Sequence, residues 1–162
     1  MSASKAPNGS FDTQFLRSFG RRRGRSLGDY KQGLVDELLP ILTPPKQLPQ
    51  NMECWLEIGF GGGEHLYEIA SNYSEKHFIG AEPYFNGVAM LLVQLDEAPL
   101  ENLSIIADDV RPWLQSLPKA SLDGAYLLFP DPWPKKNHHK RRILNEGLLA
   151  LLADVIKPNG SL

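Results

Sequence analysis

Short apolar runs alternate with amphipathic stretches along most of this chain. Cys54 to Ile58, His77 to Ala81, Leu103 to Ala107 and Ala125 to Phe129 read as four buried strands. Between them lie helical spacings: Leu66, Ile69 and Ala70, then Val88, Ala89, Leu91, Leu92 and Leu95, then a short one around Trp113, Leu114 and Leu117. After the fourth run, Ile143, Leu144, Leu148, Leu151, Leu152 and Val155 predict a helix from Arg141 to Ile156, ending near Pro158-Asn159-Gly160. An earlier helix is expected from Asp29 to Leu42, stopped by Pro44-Pro45. Strands that alternate with helices need a crossover between each pair. The expected class is therefore α/β, a Rossmann-like doubly wound, mostly parallel sheet with helices on both faces. The chain stops at Leu162, where another strand would begin, so the C-terminal strands are expected to be missing and an edge of the sheet exposed.

Composition bounds the class without naming a chemistry. With 162 residues and 42% hydrophobic content, the chain is long and apolar enough for one cored domain. No apolar stretch approaches the roughly 20 residues of a membrane span, and the first 25 residues show no signal peptide. The single cysteine, Cys54, excludes an internal disulfide and reads as a buried strand thiol in a reducing compartment. A cytoplasmic protein is expected.

Charge changes the picture once it is mapped. The net value of −2 conceals five bases at Arg17, Arg21, Arg22, Arg23 and Arg25, and five more at Lys135, Lys136, Lys140, Arg141 and Arg142. Between Glu53 and Asp131 the chain carries 13 acids against Lys76, Arg111 and Lys119. Two basic blocks around an acidic middle point to a polyanion partner, although either block alone reads equally well as a solvated face. Residues 1–27 are expected to form a flexible basic segment, and 28–162 the domain.

The turn after the first strand is Glu57-Ile58-Gly59-Phe60-Gly61-Gly62-Gly63. A dinucleotide fingerprint G-x-G-x-x-G fails here, because its last position falls on Glu64 or Leu66. The fit is E-x-G-x-G-x-G, whose flanking carboxylates suit a cationic ligand better than a pyrophosphate. S-adenosylmethionine, a sulfonium with an amino group and no phosphate, meets that demand. Glu82 at the second strand end is placed to accept ribose hydroxyls, and Asp108 or Asp109 at the third to accept an adenine amine. Taken singly, each acid reads also as a helix cap.

The fourth strand runs into Pro130-Asp131-Pro132-Trp133-Pro134, a loop stiffened by three prolines. Asp131 falls at the carboxyl edge of the sheet, where ligands of doubly wound folds bind, and Trp133 is placed to shape a pocket or stack on a base. The same residues also read as a plain turn with a core plug. The following Lys135-Lys136-Asn137-His138-His139-Lys140-Arg141-Arg142 suits phosphate contacts. Adjacent histidines without a second ligand motif do not make a zinc site, so no metal is expected. His65 and His77 read as ordinary helix-start and strand residues.

With Phe19 to Arg25 (FGRRRGR), Glu57 to Gly63, Gly80 to Glu82 and, above all, Phe129 to Arg142 (FPDPWPKKNHHKRR), the chain resembles the bacterial tRNA (guanine-N7-)-methyltransferases over roughly residues 15–162. The resemblance implies methyl transfer from S-adenosylmethionine to N7 of guanosine 46 in the tRNA variable loop. It further implies cofactor contacts at Glu57, Glu82 and Asp109, with Gly59 and Gly61 in the loop, an active-site aspartate at Asp131, and a substrate-binding lysine at Lys135. Lys136, His139, Arg141, Arg22 and Arg25 are the further RNA-binding candidates. The family's C-terminal aspartate and Thr-x-x-Glu element have no counterpart here. Two rival readings stand beside this one: methylation of an exocyclic amine, since Pro-Asp-Pro-Trp is similar to the loop of such enzymes, and a non-catalytic RNA-binding fragment. Either a monomer or a homodimer is compatible with the sequence.

Overall fold

A computed structural model of the chain describes residues 22, 24–45 and 47–162. Arg17, Arg21, Arg23 and most of the expected N-terminal segment lie outside the described residues. The elements alternate as the hydrophobic pattern demands. In chain order they are α1 (Asp29–Leu38), β1 (Cys54–Ile58), α2 (Glu64–Asn72), β2 (His77–Ala81), α3 (Phe85–Glu97), β3 (Leu103–Ile106), α4 (Val110–Ser116), β4 (Leu122–Tyr126), a 3-10 turn (Lys136–Arg141), α5 (Glu146–Val155) and β5 (Ile156–Ser161). All five strands are parallel, in the order β3-β2-β1-β4-β5. The order reverses direction between β1 and β4, and such switch points open a crevice at the strands' carboxyl ends.

The two faces of the sheet carry separate cores. Leu56, Ile58, Ile79 and Leu122 pack with Leu114 of α4 and Leu148 and Leu152 of α5. On the other face, Phe78, Leu103 and Ile105 meet Leu66 of α2, Leu91 and Leu92 of α3 and Val35 of α1. Side chains alternate across a strand, so each apolar run feeds both cores at once; that is why these runs read as continuous rather than alternating. Gly80 shows how close the packing is, since a side chain there would overlap Leu66.

Several boundaries depart from the expected ones. The fourth strand is Leu122–Tyr126, three residues earlier than the run Ala125 to Phe129. Its position is set by pairing with β1, in the register Trp55↔Gly124, Leu56↔Ala125 and Glu57↔Tyr126. At Gly124 a side chain would overlap the Trp55 ring. Helix α5 begins at Glu146 rather than Arg141, because Asn145 caps it, its side chain accepting from the Leu148 N–H at 3.0 Å. The fifth strand starts at Ile156, before the expected point beyond Leu162, and takes in Pro158, Asn159 and Gly160. Its pairing with β4 is irregular, and Asn159 sits at φ 70°, which explains why this stretch reads as a terminator.

Candidate active site

The glycine turn after β1 is held from both sides. Gly59, Gly61 and Gly63 have φ of 75°, 60° and 84°, a region that other residues enter only with strain. The Gly59 N–H donates to the Ala81 carbonyl at 2.7 Å, tying the turn to the end of β2. At Gly87, in the first turn of α3, any side chain would overlap the Gly61 carbonyl oxygen, so loop and helix touch backbone to backbone.

The three acidic strand ends behave differently from one another. Glu57 is buried, its side chain only 4% exposed, and its Oε2 lies 2.8 Å from His65 Nδ1 at the start of α2. Burial pushes the Glu57 carboxyl above the usual carboxylate range, and the hydrogen bond from His65 opposes that rise. Glu82, also buried, uses both carboxylate oxygens on the backbone. Its Oε2 accepts from the Gly61 N–H at 2.9 Å and its Oε1 from the Tyr84 N–H at 2.8 Å. Asp109 caps α4, and its Oδ1 accepts from the N–H and Nε of the buried Arg111 at 3.0 and 2.8 Å. A second guanidinium contact occupies its Oδ2. Asp108 is exposed by contrast; it accepts from the Asp109 N–H at 2.7 Å and pairs with Arg22. Of the two aspartates, Asp108 has the greater free acceptor capacity.

A cavity of about 440 Å³ opens at the switch point. Gly59, Glu82, Asp108 and Asp109 line one end of it. At the other end stand Asp131, Trp133, Arg141 and Arg142. The proline-rich loop keeps its shape through contacts with the basic run that follows it. Arg142 donates from Nε to the Pro132 carbonyl at 2.9 Å and from Nη2 to the Trp133 carbonyl at 3.4 Å. The Arg141 guanidinium lies 5.1 Å from the Trp133 ring centre, and the His138 ring meets the same indole edge-on at 5.6 Å. Asp131 is exposed to the cavity, with no hydrogen bond to another described residue.

The expected site residues therefore fall into three groups. Gly59, Glu82, Asp109, Asp131 and Arg141 share the cavity. Glu57 and Gly61 support the glycine turn from behind it, through His65 and Glu82. Lys135, Lys136 and His139 are exposed on and beside the 3-10 turn, outside the cavity lining, and Arg25 is exposed next to α3. Three further residues take part: Arg142, in sequence one base of a run, His65, in sequence an ordinary helix-start residue, and Tyr84, which no motif singles out. For His65 a signal existed: it lies eight positions after Glu57, on the first turn of the helix that this acid's strand feeds.

The donor set fits a cofactor with a cationic head and a nucleoside. At the glycine end the carboxylates of Glu82 and Asp108 keep free lone pairs for hydroxyl or amine donors. The Gly59, Gly61 and Gly63 N–H groups are given to Ala81, Glu82 and Phe60, so none of these three is offered to a phosphate.

Comparisons with known proteins converge. Residues 51–162 match a family model described as putative methyltransferase. The tRNA (guanine-N(7)-)-methyltransferase of Roseobacter denitrificans is 45% identical over 155 residues, covering 86% of this chain and 66% of that protein. Those of Erythrobacter litoralis and Caulobacter vibrioides are 45% and 44% identical, covering 91% of this chain in each case and 67% and 68% of the relatives. The chain thus spans about two thirds of the length of these curated relatives. Among solved structures, PKMT2 from Rickettsia typhi in complex with AdoHcy superposes with a TM-score of 0.54 at 20% identity, covering 82% of this chain and 23% of that one. An antibiotic-related methyltransferase gives 0.50 at 21% identity, over 82% of this chain and 62% of that one. Likeness at that level concerns the fold, which is the class I methyltransferase fold. The extent of the shared sequence is more specific, and on that ground the chain belongs to the tRNA (guanine-N(7)-)-methyltransferase family.

Proposed function

We propose that this chain binds S-adenosylmethionine at the glycine end of the cavity and directs methyl transfer to N7 of guanosine 46 in the variable loop of tRNA, in the cytoplasm. The observation that carries the reading is that Glu82, Asp108 and Asp109 line a single cavity together with Asp131, Arg141 and Arg142. Among the described residues no helix is long and apolar enough to cross a membrane.

When bound, S-adenosylmethionine supplies a methyl group on a sulfonium. Glu82 and Asp108 are the side chains that would hold its adenosine part, with Glu82 also keeping the turn closed. Guanine N7 has an in-plane lone pair and no proton, so its attack requires no general base. What the protein supplies is position and field. Asp131, with no hydrogen-bond partner among the described residues, accepts hydrogen bonds from the guanine edge and offsets the positive charge that the methylated base acquires. Trp133, braced by Arg141, His138 and the Arg142 contacts to its own carbonyl and that of Pro132, walls the acceptor side. Lys135, Lys136, His139, Arg141, Arg22 and Arg25 hold phosphates, which orient the RNA without reading bases.

The test is a methyl-transfer assay with labelled S-adenosylmethionine and unmodified bulk tRNA, followed by nucleoside analysis. Label in 7-methylguanosine is expected. Label in an N-methylated exocyclic amine would overturn the acceptor assignment. Absence of label, from a chain that binds both ligands, would leave it an RNA-binding protein of this fold.

A further inference from the structure

Upstream of α1 the chain is clamped to the start of α3. The Arg22 carbonyl accepts from the Phe85 N–H at 3.0 Å. The side-chain amide of Asn86 then serves the next residues: its Oδ1 accepts from the Gly24 N–H and its Nδ2 donates to the Arg25 carbonyl, both at 2.9 Å. A side chain at Gly24 would overlap the Tyr84 hydroxyl and crowd Asn86 Oδ1, so both of those side-chain ends would have to shift to admit one. Tyr84 and Asp108 both line the cavity, and the clamped path delivers the Arg22 guanidinium to Asp108, 86 positions away in sequence.

Both partners of that pair are about 60% exposed, so it contributes little to folding. Its meaning lies in where it is. A long arginine on a free segment would sample many anions, whereas here three backbone contacts bring one guanidinium to a cavity carboxylate. The same guanidinium belongs to the basic stretch read as RNA-binding. An RNA phosphate, which can engage the guanidinium through two charge-assisted hydrogen bonds, competes with Asp108 for it.

We infer that Asn86 is a positioning residue that latches Gly24 and Arg25 beside the start of α3, so that Arg22 is shared between Asp108 and an RNA phosphate and the binding of cofactor and RNA is coupled. The inference rests on the proposed methyltransferase reading for both ligands. Without RNA, Arg22 occupies the Asp108 carboxylate. When a phosphate takes Arg22, the Asp108 carboxylate loses its cationic partner at Oδ1 and becomes the stronger acceptor for the adenine amine. Linkage makes the effect reciprocal, because cofactor on Asp108 turns Arg22 towards the RNA.

The experiment is calorimetric titration of S-adenosylhomocysteine into the full chain and its Asn86→Ala variant, each with and without unmodified tRNA. For the unaltered chain, tRNA is expected to tighten binding by about fivefold or more, the lower end of ordinary coupling. In Asn86→Ala the ratio is expected to fall to about one, with the melting temperature unchanged, and trypsin cleavage after Arg25 to accelerate. Should Asn86→Ala fail to fold, Asn86→Asp keeps the acceptor for Gly24 and loses the donor to Arg25, and a reduced ratio is expected there. An unchanged ratio in the variants, or no effect of tRNA on the unaltered chain, overturns the inference. An unaltered chain that binds no S-adenosylhomocysteine at all overturns the cofactor assignment itself, which separates the two failures.

Discussion

Glu82 Oε2 accepts a hydrogen bond from the Gly61 N–H at 2.9 Å, so the acid that ends β2 is also what closes the glycine turn after β1. Its other oxygen accepts from the Tyr84 N–H at 2.8 Å, which fixes the start of α3 against the same turn. One buried carboxylate thus sets the spacing of three elements around the cavity. Acceptance of two backbone N–H groups is a task for which only a carboxylate of this length is suited.

It follows that Glu82→Gln, although nearly isosteric, sets an amide donor against one backbone donor. The expected cost is about 1–3 kcal/mol, the usual penalty for a buried donor left unsatisfied. Thermal melts should show it in the free protein, before any ligand is added. Cofactor affinity measured by calorimetry should fall in addition. A variant that melts with the unaltered chain would mean that the turn holds without Glu82.

Asp131 is exposed and makes no hydrogen bond to another described residue. Asp131→Ala should therefore leave the melting temperature unchanged while lowering kcat by more than about tenfold, since misplacement of reacting groups routinely exceeds that factor. Single-turnover methyl transfer, at saturating cofactor and tRNA, is the measurement to make. Retention of most of the rate would remove Asp131 from the reacting centre.

Two bases of the same run should behave differently. Lys136 is exposed and outside the cavity lining, whereas Arg142 grips the carbonyls of Pro132 and Trp133. Lys136→Ala is expected to weaken tRNA binding and flatten its salt dependence, by about 0.7 to 0.9 in the log–log slope for each lost phosphate contact. Arg142→Ala should instead lower kcat, because the loop that carries Asp131 loses its clasp. Salt titrations of binding and kcat determinations on both variants test the distinction.

His77 is buried on β2, its Nε2 3.0 Å from the Ser104 hydroxyl oxygen, and burial holds its pKa below the usual 6.5. In the folded state it resists the proton that the unfolded chain accepts. The stability this represents is present above pH 6.5 and is lost as pH falls through the folded-state value. Melting temperatures of the unaltered chain and of His77→Gln should diverge in slope between pH 7.5 and 5.5, with the variant losing less on acidification. Parallel slopes would show that other groups govern the acid side.

The alternation of apolar runs with helical spacings was enough to give the class, the strand order of appearance and the location of the glycine turn. Those features depend on the local period of hydrophobicity and on residues a few positions apart, which a chain carries regardless of how it folds. The acids at the strand ends were legible for the same reason: each sits next to an element that announces itself. Pairing decided the rest. The start of β4 at Leu122 depends on Trp55 lying over Gly124, and β5 forms through a stretch that reads as a turn. Which of the two aspartates is already taken up was settled by Arg111, and the use of Glu57 by His65. Asn86 and Arg142 carry no signature of their own, because an amide or a guanidinium becomes a latch only when a distant backbone segment arrives beside it. Sequence spacing encodes which elements form; the partners of long polar side chains are fixed only when the sheet has set the elements side by side.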